Sequence, residues 1–173
     1  MYLEFEIDKL TRSIENAVTG DILSTDILPL EKFDLSQITK KNGWKFNWKT
    51  EFSCSDKQVL KLVIVQQSSV IQGLVSLSVM PDHIFMSLIE TAPHNFGKLK
   101  KYVGAPGNLV AYVCKKSFEL GFDGYVAFIP KTKLISHYEK TLGAIVFGNR
   151  MFIQSQAAMN LISQYYPDFL TNK

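Results

Sequence analysis

KYVGAPGNLVAYVCKKSFELGFDGYVAFI, residues 101–129, changes its hydrophobic period at the glycines. Upstream the chain has strand character. Downstream, Leu109, Val113 and Leu120, with Val110, Cys114 and Phe118 beside them, form an apolar stripe at the 3.6-residue period, while Lys115, Lys116 and Glu119 fall on the other side. This spacing predicts an amphipathic helix that stops at Gly121, followed by a buried strand over 124–129 that Pro130 ends. The GAPG turn that opens the helix has two readings. It is a helix start with Pro106 near the first position, or it is an anion cradle, because the first amides of a helix lack internal acceptors and face the positive end of the macrodipole. No Gly-Lys-Ser/Thr follows it, and three spaced glycines with a downstream acid are missing, so the Walker and dinucleotide patterns do not apply.

Working outward, VLKLVIV at 59–65 and VIQGLVSLSV at 70–79 are rich in β-branched residues and separated by a polar QQSS, the pattern of a hairpin. Met80-Pro81-Asp82 turns the chain into HIFMSLIE at 83–90, a third strand of an antiparallel meander. Trp44, Phe46 and Trp48 alternate with Lys45, Asn47 and Lys49, which predicts a further strand with one buried face. Beyond Pro130, TKLISHYEKTLG predicts a helix with Leu134, Ile135, Tyr138 and Leu142 inward and Gly143 at its end. AIVFGNRMFI is two short strands or one bulged strand, and SQAAMNLISQYY is a closing helix. Residues 1–43 stay ambiguous: Leu3, Phe5 and Ile7 repeat with a strand's period, and Leu10, Ile14 and Val18 with a helix's.

A chain of 173 residues, 46% hydrophobic, is sized for one domain with a substantial core. Its net charge of +3 comes from interleaved acids and bases with no long basic arm, which gives no support for a nucleic-acid partner. Cys54 and Cys114 lie far apart without metal-like spacing, and the three histidines lack ligand spacing, so reduced thiols, a cytoplasmic setting and no metal are expected. The start MYLEFEIDKL lacks a signal core, and no apolar run is long enough to span a bilayer, so neither secretion nor a membrane is expected.

Two stretches carry a family resemblance. Lys101-Tyr102-Val103-Gly104-Ala105-Pro106, after a strand and opening a helix, resembles the pyrophosphate motif of the GNAT superfamily of acyl-CoA-dependent N-acyltransferases, Gln/Arg-x-x-Gly-x-Gly/Ala. Residues 134–144, LISHYEKTLGA, resemble its Phe-Tyr-x-Lys-x-Gly-Phe helix and turn, with Lys140 and Gly143 in register. The likeness covers roughly residues 57–155. It implies one α/β domain over 1–173 with a mixed, mostly antiparallel sheet, flanking helices, a splay between two parallel central strands, and an atypical segment over 1–43.

The resemblance further implies acetyl-CoA as co-substrate, its pantetheine arm between strands 83–91 and 124–129 against Ile89 and Thr91. It places the pyrophosphate at Lys101, Tyr102 and the amides of Val103, Gly104, Ala105, Gly107 and Asn108. Lys101 keeps a donor but not a guanidinium fork, and Pro106 removes an amide from the cradle. Lys131 stands where the family often has a cofactor-contacting Asn, and His137 replaces an aromatic. Tyr138 takes the place of the family's general acid, suited by a phenol pKa near 10 to protonate a leaving thiolate. An amine acceptor, small molecule or peptide, must lose a proton. Glu90 is the first candidate base, at the strand end on the face of Met86 and Leu88, and His94 the second. A homodimer is compatible with this reading. Two other readings stay open: an acyl-CoA-binding module of the same fold without turnover, in which residues 1–43 engage a protein, and a nucleic-acid binder using the basic loop KLKKY and the aromatic strand.

Overall fold

The computed structural model describes residues 2–171. The first half of the chain contains β1 (Ile14–Asn16), β2 (Ile22–Leu23), β3 (Thr25–Pro29), α1 (Trp48–Ser53), β4 (Gln58–Ile64), β5 (Gln67–Val79) and β6 (Ile84–Thr91). The second half contains β7 (Tyr102–Val103), α2 (Ala105–Glu119), β8 (Val126–Phe128), α3 (Ile135–Leu142), β9 (Ile145–Phe147), β10 (Arg150–Ile153), α4 (Ser155–Tyr165) and α5 (Pro167–Thr171). A seven-stranded sheet has the order β3-β4-β5-β6-β8-β10-β9, and a small second sheet the order β2-β1-β7.

The expected meander is present as β4-β5-β6, antiparallel throughout. β6 and β8 are the parallel pair, joined by the crossover helix α2. Their pairing lasts two residues, Ile84 with Val126 and Phe85 with Ala127, and then the strands part. AIVFGNRMFI resolves as two strands: Phe147 lies opposite Arg150, leaving a Gly148-Asn149 turn.

Alternation along the strands fills two cores, one on each face of the sheet. Leu60, Leu62, Val75, Leu77, Ile84 and Met86 meet the helices α2, α3 and α4. On the opposite face Val59, Ile71, Leu74 and Leu88 meet Leu30, Ile38, Trp44 and Trp48. The register of β6 against β5 shifts at one point: Leu77 opposes Met86 and Ser76 opposes Leu88, so Ser87 is an extra residue. The bulge reverses the side-chain parity. Met86 and Ile89 therefore share the first core, and Leu88 faces the second.

Residues 44–48 are not a strand. Trp44 and Trp48 are both buried in the second core, four residues apart, and Asn47 caps α1 by accepting the Thr50 N–H at 3.1 Å. Two buried tryptophans and a polar cap imitate period two over so short a span.

The ambiguous start also resolves. Leu3, Phe5 and Ile7 are buried in the first core, while Glu4, Glu6 and Asp8 face outward along an extended stretch. Leu3 forms a parallel bridge with Pro130 just past β8: its N–H donates to the Ile129 carbonyl (2.7 Å), and its carbonyl accepts the Lys131 N–H (2.9 Å). Residues 3–8 thus enter the gap where β6 and β8 separate.

Candidate active site

Beside the splay lies a cleft of about 970 Å³. One wall is the end of β6, residues 89–91; another is formed by Pro106 of α2 with Leu134 and His137; a third is the segment 4–8. Lys98 and Lys100 line its rim near the start of α2, and Lys133 stands near α3. Lys101 is not among the lining residues; its ammonium lies 5.8 Å from the Tyr102 ring. Lys98 and Lys100 were within the basic run read from sequence, but only the path of the loop tells which lysines face inward.

Gly104 adopts φ 96° and caps α2, a left-handed conformation that favours glycine. Its N–H donates to both carboxylate oxygens of Asp8, at 3.2 and 3.3 Å. The Asn108 N–H is taken by the Gly104 carbonyl (3.0 Å) and its side chain donates to Thr25 Oγ1 (3.1 Å), so Asn108 supports the turn from within and offers no amide to a cradle. The Tyr102 N–H donates to Asn95 Oδ1 (3.1 Å), and Tyr102 and Val103 pair with Asn16 and Glu15. Ala105 and Gly107 precede the first intrahelical bond, with Pro106 between them. A Cβ on Gly107 would sit 2.4 Å from Tyr165 Oη and 3.0 Å from Leu10 Cδ2; one on Gly104 would sit 2.8 Å from the Ser13 carbonyl oxygen. The close approaches at both glycines are made by the chain's own residues 10–13 and Tyr165.

Tyr138 is fully buried, and its hydroxyl donates to the Phe5 carbonyl at 2.6 Å. Burial, and then the charges of Glu6 and Glu4, push its pKa well above that of a free phenol. It is protonated at neutral pH and is held beneath residues 3–5, away from the cleft. Its neighbour His137 accepts the Ile7 N–H on Nε2 (2.9 Å) and does line the cleft. Lys131 pairs with Glu4, which also binds the Lys45 ammonium at 2.6 Å.

Glu90 lines the cleft, but its setting differs from the apolar face expected of it. The bulge at Ser87 turns it to the side of Leu88 rather than of Met86. There it accepts the Lys45 N–H (2.6 Å), the Phe46 N–H (3.3 Å) and the Trp48 indole N–H (2.7 Å). Two of these fall on Oε1 and one on Oε2, so a fourth acceptor position remains on Oε2. The His94 ring is turned to Gln72, with Nε2 2.8 Å from Oε1, and does not line the cleft. Partial burial and then the Lys101 charge hold its pKa below the usual histidine range. Among the described residues no group of three His, Cys, Asp or Glu is placed to hold a metal ion, and no helix is long and apolar enough to cross a membrane.

A parallel pair that opens after two residues, a crossover helix starting at a glycine turn beside the opening, and a helix carrying Tyr138 after the second strand together give the fold that the resemblance implies. Solved structures share it. The spermidine N-acetyltransferase of Vibrio cholerae, in a complex with CoA and spermine, matches with a TM-score of 0.54 at 16% identity, over 79% of this chain and 98% of that one. A dodecameric structure of the Vibrio cholerae enzyme matches at 0.56 and 18%, over 79% and 96%. The ribosomal-protein-S18-alanine N-acetyltransferase of Escherichia coli matches at 0.54 and 15%, over 76% and 95%. No protein-family model and no curated protein sequence matches the chain.

Proposed function

We propose that the chain is an N-acyltransferase that moves an acetyl group from acetyl-CoA to an amine in a ternary complex. The observation that carries the reading is the cleft at the β6/β8 splay, running from the start of α2 to His137 on α3, in a fold whose solved neighbours are N-acetyltransferases. In this reading the backbone of Ile89 and Thr91 holds the pantetheine arm, and Gly104, Ala105 and Gly107 offer amides to the pyrophosphate, with Lys98 and Lys100 adding positive charge at the rim. Lys131 lies beside the path of the arm.

The free amine attacks the thioester carbon, the C–S bond breaks, and the departing thiolate takes the proton of Tyr138. Glu90 Oε2 accepts the proton that the amine loses, directly or through a water. His94, turned to Gln72, keeps that wall in place and is a positioning residue. An amine acceptor is shared chemistry with the neighbours, one of which binds spermine; a peptide amine fits the same reaction.

The test is a panel of amines with acetyl-CoA, read by release of free thiol. Amine-dependent release that falls by about a hundredfold or more in Tyr138→Phe is the expected result. A second reading, an acyl-CoA-binding module without turnover, is favoured by the engagement of Tyr138 and Lys131 with residues 3–5. Saturable acetyl-CoA binding with no release for any amine supports it.

A further inference from the structure

Residues 3–8 satisfy, one after another, the groups that an acyl-CoA would need. The Tyr138 hydroxyl is bonded to the Phe5 carbonyl, the His137 ring to the Ile7 N–H, Lys131 to Glu4, and the Gly104 amide to the Asp8 carboxylate. Along the segment, Glu4, Phe5, Ile7 and Asp8 thus run from Lys131 past Tyr138 and His137 to the start of α2. A carboxylate at the N-cap amide of a 15-residue helix stands where a phosphate oxygen would, since both are anionic acceptors drawn to the same dipole. Leu10, Thr11 and Ser13 continue over the glycines, and the Thr11 N–H donates to Tyr165 Oη at 2.9 Å, which fastens the segment beyond Asp8.

We infer that residues 3–8 are a built-in occupant of the cofactor groove, an autoinhibitory strand that competes with acyl-CoA for the Gly104 amide and covers the Tyr138 hydroxyl. The inference rests on the acyl-CoA reading above. Binding of the nucleotide end displaces Asp8 from Gly104, and displacement of residues 3–5 frees Tyr138 to give up its proton. The apparent affinity of the full chain is lowered by the fraction of molecules in which the strand is docked.

The experiment compares the full-length chain with Asp8→Ala and Phe5→Ala, titrating each with coenzyme A in a calorimeter and following the Leu3 and Ile7 amides by hydrogen exchange. Asp8→Ala removes the acceptor that holds the Gly104 N–H in the docked state, so coenzyme A binds this variant about tenfold more tightly. Phe5→Ala lowers the melting temperature and also tightens binding, and in the full-length chain both amides lose protection at saturation. Saturation with the Leu3 and Ile7 amides still protected, or a destabilised Phe5→Ala with unchanged affinity, makes the segment a plain structural strand and overturns the inference, leaving the acyl-CoA reading intact. Absence of coenzyme A binding in all three chains, each folded by circular dichroism, overturns both.

Discussion

Gly107 shows how a glycine that invites a phosphate reading from sequence is required by packing. Its missing side chain makes room for Tyr165 Oη, which accepts the Thr11 N–H. Gly107→Ala forces the tyrosine or the helix to shift in a fully packed region and is expected to cost about 1–3 kcal/mol. Chemical denaturation measures the loss, and combining it with Tyr165→Phe recovers part of it if the hydroxyl is the clashing atom; purely additive costs would contradict that account. Glu90 makes a comparable point. Glu90→Ala leaves the indole of Trp48, a fully buried residue, without its acceptor and loosens residues 45–48, at a cost of about 3 kcal/mol. Glu90→Gln retains an acceptor for the indole and is expected to lose less than half as much, followed by tryptophan fluorescence during urea unfolding.

The strands and helices that bury a regular face were legible because periodicity reports burial: 59–65, 70–79, 83–90, 105–120 and 134–142 all form near their expected places. The splay was legible only through the resemblance, since no local pattern says where two parallel strands cease to pair. What stayed hidden has physical causes. A one-residue bulge at Ser87 inverts every later side chain of β6, so Glu90 shares the face of Leu88, as expected, but not that of Met86. Tryptophans at 44 and 48 satisfy both a strand's period and a helix's, and the decision fell to Asn47. That cap is testable: Asn47→Ala removes the acceptor of the Thr50 N–H from a six-residue helix and is expected to destabilise by about 1 kcal/mol, with Asn47→Asp restoring most of it. Stability equal to the parent in Asn47→Ala would show that Trp48 packing alone fixes α1. At the N-terminus, the alternation of Leu3, Phe5 and Ile7 correctly reports their burial, but Leu3 makes its bridge to Pro130, far along the chain and beyond the reach of local spacing.

Stability against acid joins these distant parts. Two ionisable groups far apart in the chain have lowered pKa values: His94, held down by partial burial and Lys101, and Glu4, held down by Lys131 and then Lys45. Each binds its proton more readily in the unfolded chain, so in both cases lowering the pH favours unfolding. The His94 contribution is intact above its ordinary value of 6.5 and is lost as pH falls from there through its folded-state pKa; the Glu4 contribution is intact above 4.5 and is lost below it. The free energy of unfolding should therefore decline in two stages on acidification. His94→Gln should flatten the first and Glu4→Gln the second, in urea titrations at a series of pH values. The second stage carries more than stability. Glu4 ties residues 3–8 to Lys131 and Lys45, so its protonation should raise hydrogen exchange at Leu3 and Ile7 before the sheet unfolds. Loss of those two amides together with the β4-β5-β6 amides, at one pH, would mean that the strand in the splay belongs to the same cooperative unit as the sheet.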